Sequence, residues 1–98
     1  VTLTGVEVTD VISGEKRNIP LDGLFISIGR RPATSALQGQ LALDENGYII
    51  ADETTCASVP GVFAAGDVRT KAVRQIVTAT ADGAVAAQMA EQYLLQKP

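Results

Sequence analysis

The stretch that most constrains this chain runs from Gly61 to Asp67. Val62-Phe63-Ala64-Ala65 is a short apolar run that stops at Gly66-Asp67, and an Ala-rich segment follows from Val73 to Leu95. A buried strand, a tight break and a helix in that order make one end of a nucleotide cradle. In open α/β sheets, ligands bind beyond the carboxyl ends of the strands. Asp67 falls at such an end. A carboxylate there can accept hydrogen bonds from sugar or polyol hydroxyls, and the preceding glycine lets a ligand approach the backbone. Asp67 can equally cap a turn or helix.

From Val73 the spacing predicts a helix of about 23 residues, roughly 34 Å long. Ile76, Ala79, Gly83, Ala86, Ala90 and Tyr93 recur at intervals of three and four and form a face of small residues. Gln75, Thr78, Asp82, Gln88 and Gln92 fall toward the other side. Gly83 weakens the helix, which is best explained by close approach to a neighbouring backbone. The first turn of such a helix carries unpaired N–H groups and about half a positive charge.

The rest of the chain reads as support for these two elements. Leu24-Phe25-Ile26-Ser27-Ile28 is nearly continuous apolar sequence ending at Gly29, the pattern of a strand buried on both faces. Pro32 breaks the chain, and Ala33 to Leu37 can form a helical turn closed by Gly39. Asp44-Glu45-Asn46-Gly47 is a turn, followed by a second strand at Tyr48 to Ala51. At the start, Val1 to Val11 alternates with the period of a half-buried strand. Asn18 to Leu21 returns as the short arm of a hairpin, limited by Pro20. A boundary near Leu21-Asp22-Gly23 divides the chain into residues 1–22 and 23–98. The fold class is α/β.

Composition excludes several functions. With 98 residues, a net charge of −3 and a pI near 4.7, the chain lacks the clustered Lys and Arg of a nucleic-acid surface. Arg69, Lys71 and Arg74 form a short basic cluster that reads as solvated loop, as does Arg30-Arg31. No stretch approaches the roughly 18 apolar residues that span a bilayer. Histidine is absent, which removes His-based triads and the commonest metal ligand. Cys56 is the single cysteine. It cannot be half of a redox dithiol here, reads as packed or inert, and fits a reducing, cytoplasmic setting.

These motifs together carry a family resemblance. Val62-Phe63-Ala64-Ala65-Gly66-Asp67 resembles the second FAD-binding motif of the two-dinucleotide-fold flavoprotein disulfide reductases. With Thr54 and Ser58-Val59-Pro60-Gly61 before it and Arg74-Gln75 after it, it is similar to the low-molecular-weight thioredoxin reductase group. Leu24 to Pro32 resembles the stretch by which those enzymes return from their NADPH domain to their FAD domain, and Gly47-Tyr48-Ile49 matches the hairpin between.

The resemblance implies a partial FAD/NAD(P)-binding, Rossmann-like domain with β-hairpins and a long C-terminal helix. Asp67 would bind a hydroxyl of the FAD ribityl chain, with Gly66 leaving room. Arg74, Gln75 and Ile76 would meet the flavin ring at the helix start, where the helix dipole favours the charge that appears on reduction. The chain contains no G-x-G-x-x-G and no C-x-x-C. The pyrophosphate loop, the redox dithiol and the NADPH-binding unit would therefore lie N-terminal to it. The expectation is a C-terminal segment of an NAD(P)H-dependent, FAD-dependent thioredoxin-disulfide reductase, inactive alone. The intact enzyme would be a homodimer acting on thioredoxin or a similar disulfide protein. The flavoprotein subunit of alkyl hydroperoxide reductase, or a related NAD(P)H-flavin reductase, shares these features and stays open. So does a non-catalytic α/β module that oligomerises through its sheet edges.

Overall fold

The structure is a computed structural model and describes residues 1–96. Two strands, β1 (Gly5–Thr9) and β2 (Lys16–Pro20), are followed by 3-10 turns at Ser35–Leu37 and Gly66–Val68 and by one helix, α1 (Ile76–Leu95). The chain is extended, measuring 69 × 26 × 26 Å with a radius of gyration of 20.5 Å. A compact domain of this length would have a radius of about 13 Å.

The elongation comes from the hairpin. β1 and β2 pair antiparallel in a register running from Gly5 opposite Pro20 to Thr9 opposite Lys16. The Asp10 carboxylate organises the connection, accepting from the N–H groups of Ile12 at 2.9 Å and Ser13 at 2.7 Å. These bonds hold its carboxyl below the usual carboxylate range. Pro20, which has no N–H to donate, is the last residue of the second arm, and the Leu21 N–H beyond it still donates to the Thr4 carbonyl at 3.3 Å. The hairpin packs against no other regular element among the described residues.

The body is organised around a small core of Ile49, Ala51 and Ala64, with Leu37, Leu41, Leu43, Ala57 and Val68 packed against it. Its extended segments are laced by single bridges rather than joined in a ladder. Leu43 meets Ile49, Ile49 meets Arg69 in parallel, and Cys56 meets Phe63. Thus the expected strands at 48–51 and 62–65 are extended and partly buried but do not form a sheet. The turn at 44–47 forms as expected: Asp44 accepts from the N–H groups of Asn46 and Tyr48, and Gly47 takes φ +87°. Thr34 ties the Pro32 break to that turn, its Oγ1 donating to the Gly47 carbonyl at 2.6 Å.

The expected buried strand at Leu24–Ile28 is corrected by the structure. The segment has no regular structure, and Phe25 and Ile28 are 99% and 93% exposed. A strand needs a backbone partner along its edge, and none runs beside residues 24–28 among the described residues.

α1 begins three residues later than the spacing predicts. Gln75 is extended (φ −141°, ψ 161°) and is the N-cap, sharing a reciprocal capping box with Thr78. The covered face is also rotated. Ala79, Asp82, Ala86, Ala90 and Tyr93 are buried or half-buried, whereas Ile76 and Gly83 are exposed. A Cβ placed on Gly83 would meet nothing within 4 Å, so among the described residues no neighbouring backbone approaches it. Near its far end the helix is seated by Tyr93, whose ring meets Phe63 edge-on at 6.3 Å.

Candidate functional site

The extended run from Val62 ends in the three-residue turn Gly66–Val68, and Gly66 sets its geometry. Ala65 is extended and Gly66 takes φ +84°, a left-handed conformation that disfavours any side chain. The requirement is conformational rather than steric. A Cβ there would lie 3.8 Å from the Ala79 Cβ, an ordinary contact. The reversal brings Asp67 to the surface with its side chain about half exposed, 3.6 Å from the Arg30 guanidinium. An ion pair that exposed contributes little to stability.

Asp67 shares an open cleft of about 340 Å³ with Arg30, Arg31, Pro32, Ala33, Tyr48, Val68 and Arg74. Arg74 is half-buried and fixed from three sides. Its Nε donates to the Asp67 carbonyl at 3.2 Å, its Nη2 donates to the Arg69 carbonyl at 3.1 Å, and its guanidinium lies 3.8 Å from the centroid of the Tyr48 ring. Because α1 starts at Ile76, Arg74 precedes the helix, and its half-buried guanidinium is held by these contacts rather than solvated as the basic-cluster reading expected. Gln75 and Ile76 follow directly, are both exposed, and do not line this cleft. The Gln75 side chain accepts from the Thr78 N–H, while those of Ile76 and Val77 have no partner within the helix.

Beneath the turn lies a charged cluster opposite to the expectation for its residues. Arg69 is 1% exposed and Asp82 6% exposed, and Lys71 is nearly covered. Arg69 forks onto Asp82, with Nε to Oδ2 at 2.9 Å and Nη2 to Oδ1 at 2.8 Å. Lys71 reaches Asp82 Oδ2 at 2.6 Å, and the Gly66 N–H donates to the same oxygen at 2.9 Å. The Arg69 guanidinium holds the Asp82 carboxyl well below the usual carboxylate range against the opposing effect of burial, with Lys71 and the Gly66 N–H adding to it. In turn Asp82 raises the Arg69 pKa. A buried charge must be paired and hydrogen-bonded. That need draws Asp82 onto the covered side of α1 and takes Arg69 and Lys71 out of solvent.

The site residues named from sequence thus divide. Gly66, Asp67 and Arg74 come together at the turn and its cleft, with Gln75 and Ile76 at the helix start beside Arg74. Sequence reasoning missed Asp82, Arg69, Lys71 and Tyr48. A signal was available for Asp82: it lies three residues after Ala79 and four before Ala86, on the stripe that packs. Arg30 and Arg31 are exposed as expected, though Arg30 also faces Asp67. Cys56 is exposed rather than packed and lines a separate groove with Phe63 and Tyr93.

Comparison with known proteins identifies the family. The profile of the family described as "Pyridine nucleotide-disulphide oxidoreductase" matches residues 1–83. A thioredoxin reductase of Listeria innocua is 46% identical over 92 residues, which are 94% of this chain and 29% of the relative. Thioredoxin reductase 2 of Arabidopsis thaliana is 50% identical over 93 residues, again 94% of this chain but 24% of the relative. Among solved structures, Lactococcus lactis thioredoxin reductase superposes with a TM-score of 0.80 at 38% identity, covering 96% of this chain and 31% of the other. The enzyme of T. acidophilum gives 0.79 at 42% identity, with 95% and 31% covered. The chain therefore spans less than a third of the length of these relatives. It belongs to the pyridine nucleotide-disulphide oxidoreductase family, with the α/β dinucleotide-binding fold of its thioredoxin reductases.

Proposed function

We propose that this chain, in residues 23–98, supplies the ribityl-and-ring side of an FAD site in an NADPH-dependent thioredoxin-disulfide reductase. Residues 1–22 are the last hairpin of the NADPH-binding domain in this reading. The observation that carries the reading is the Gly66-Asp67 turn. A left-handed glycine presents a half-exposed carboxylate to an open cleft, with Arg74 fixed behind it and a helix start immediately after.

The residues present fit part of FAD. Among the described residues the Asp67 carboxylate makes one exposed ion pair, at 3.6 Å to Arg30, and its half-exposed oxygens can accept a ribityl hydroxyl. The cleft, at about 340 Å³, is at the small end of ligand sites, which run from about 300 to 1,000 Å³. It suits one section of a dinucleotide rather than the whole, in keeping with the lack of a pyrophosphate-gripping glycine loop. Gly66 and Asp67 would hold the ribityl chain. Arg74, Gln75 and Ile76 would border the ring, where N–H groups without helical partners and the helix dipole favour negative charge. When bound, FAD supplies the step between NADPH and a dithiol. This chain's own residues orient it and bias its charge.

The intact enzyme acts on thioredoxin or a similar disulfide protein, a reading supported by the names of the thioredoxin reductase relatives; a homodimer in the cytoplasm is part of the same proposal. The test is the visible spectrum of the purified full-length protein. Asp67→Ala is expected to emerge depleted of flavin. Flavin content equal to the unaltered protein would sink the assignment.

A further inference from the structure

We propose that Asp82 is a positioning residue for the flavin site, a buried clamp that fixes the Gly66–Val68 turn from both ends. The inference rests on the FAD reading above and extends it to a residue that lines neither the cleft nor the helix start.

The turn holding Asp67 is only three residues long and is secured within itself by one weak backbone bond, from the Arg69 N–H to the Gly66 carbonyl at 3.4 Å. Outside the turn, the Val68 carbonyl accepts from the Ile49 N–H at 2.8 Å on the core side, and the side-chain anchors of the two flanking residues lie on α1. At the leading end, the Gly66 N–H donates to Asp82 Oδ2 at 2.9 Å. At the trailing end, Arg69 places two guanidinium bonds of 2.9 and 2.8 Å on the same carboxylate. Asp67 is strung between two grips on one side chain. Lys71 completes the arrangement, reaching Asp82 at 2.6 Å and the Thr78 carbonyl in the first turn of α1 at 3.4 Å. The carboxylate therefore sets the turn and the helix start in a fixed relation, and these are the two parts that flank the flavin.

Charge makes the clamp sensitive. Two cations face one buried anion, with the exposed Glu53 reaching Arg69 only at 3.5 Å. Replacing Asp82 by Asn keeps an acceptor for the Gly66 N–H but removes the buried counter-charge of both cations, leaving Arg69 with the exposed Glu53 at 3.5 Å. Arg69 then keeps its bond to the Thr70 carbonyl at 2.9 Å but loses the charged fork that ties the trailing end of the turn to α1. A displacement of about 1 Å in a positioning group is enough to cost orders of magnitude in function.

The experiment uses the full-length protein stripped of flavin and titrated with FAD, with visible circular dichroism of the bound flavin as the spectroscopic readout. Asp82→Asn is expected to weaken FAD binding by about tenfold or more, as loss of a partner supporting a ligating group does, and to change the dichroic bands. Tyr93→Leu, which disturbs the far end of α1, serves as a thermal control. It is expected to keep its affinity within about twofold at a comparable loss of melting temperature, by the general independence of distant sites. If Asp82→Asn loses no more affinity than Tyr93→Leu, the clamp is overturned. Should Asp82→Asn fail to fold, Asp82→Glu carries the test. It preserves the charge but displaces the carboxylate, so unchanged affinity and dichroism overturn the clamp. Asp67→Ala is titrated in parallel. Full affinity in that variant overturns the site itself, whereas weakened Asp67→Ala with unaffected Asp82 variants overturns the clamp alone.

Discussion

Asp82 and Arg69 meet in a two-pronged ion pair at 2.8 and 2.9 Å beneath the turn that carries Asp67. One residue comes from a helix and the other from the loop before it, thirteen positions apart, and neither has solvent to fall back on. A pair buried to this degree adds modest net stability, but removing one partner leaves an uncompensated charge.

Asp82→Ala should therefore destabilise the protein by about 3–5 kcal/mol, seen as a lower melting temperature of the flavin-free form. The pH dependence follows from the lowered pKa. The folded value lies below the unfolded one of about 3.9, so the contribution is complete above that pH and is lost as pH falls toward the folded value. As pH falls below about 4 the unaltered protein should lose stability more steeply than Asp82→Asn. Parallel profiles would contradict the pairing.

Gly66→Ala tests the turn without touching a charge. At φ +84° an L side chain costs roughly 1–2 kcal/mol, and the 3.8 Å separation from Ala79 adds no clash. A small fall in melting temperature with weaker flavin retention is expected. No change in either would show that the turn does not need its left-handed residue.

At Gly83 the expectation reverses. With nothing within 4 Å of a Cβ, Gly83→Ala should stabilise α1 by roughly 0.5–1 kcal/mol through helix propensity. A lower melting temperature in the full-length protein would instead reveal a segment packed against that position.

The exposed run at Phe25, Ile26 and Ile28 gives a prediction for the 98-residue chain alone. An unpaired apolar segment of this kind is a template for association. Size-exclusion chromatography should show self-association, and a well-behaved monomer would contradict it.

Much of this arrangement was legible from local pattern. The Gly66-Asp67 turn, the 44–47 turn, the hairpin and the long helix each rest on residues close in sequence. What was not legible depends on partners far along the chain. Leu24–Ile28 has the composition of a buried strand, but no neighbouring edge meets it here. Arg69, Lys71 and Asp82 read as solvated charges one at a time, and their burial follows only once a helix brings the carboxylate over the loop. Arg74 changed role for a local reason: Gln75 caps the helix, which leaves Arg74 outside it and free to stack on Tyr48.

The most direct measurement is a thermodynamic cycle between Asp67 and the ribityl chain in the full-length protein. Affinities of the unaltered and Asp67→Ala proteins would be compared for FAD and for analogues each lacking one ribityl hydroxyl. A hydrogen bond to a charged group contributes about 1.5–3 kcal/mol, or roughly 10- to 100-fold in affinity. One analogue should bind the unaltered protein weaker by that factor yet bind Asp67→Ala as well as FAD does. Independent, additive losses for every analogue would contradict the assignment of Asp67 to the flavin.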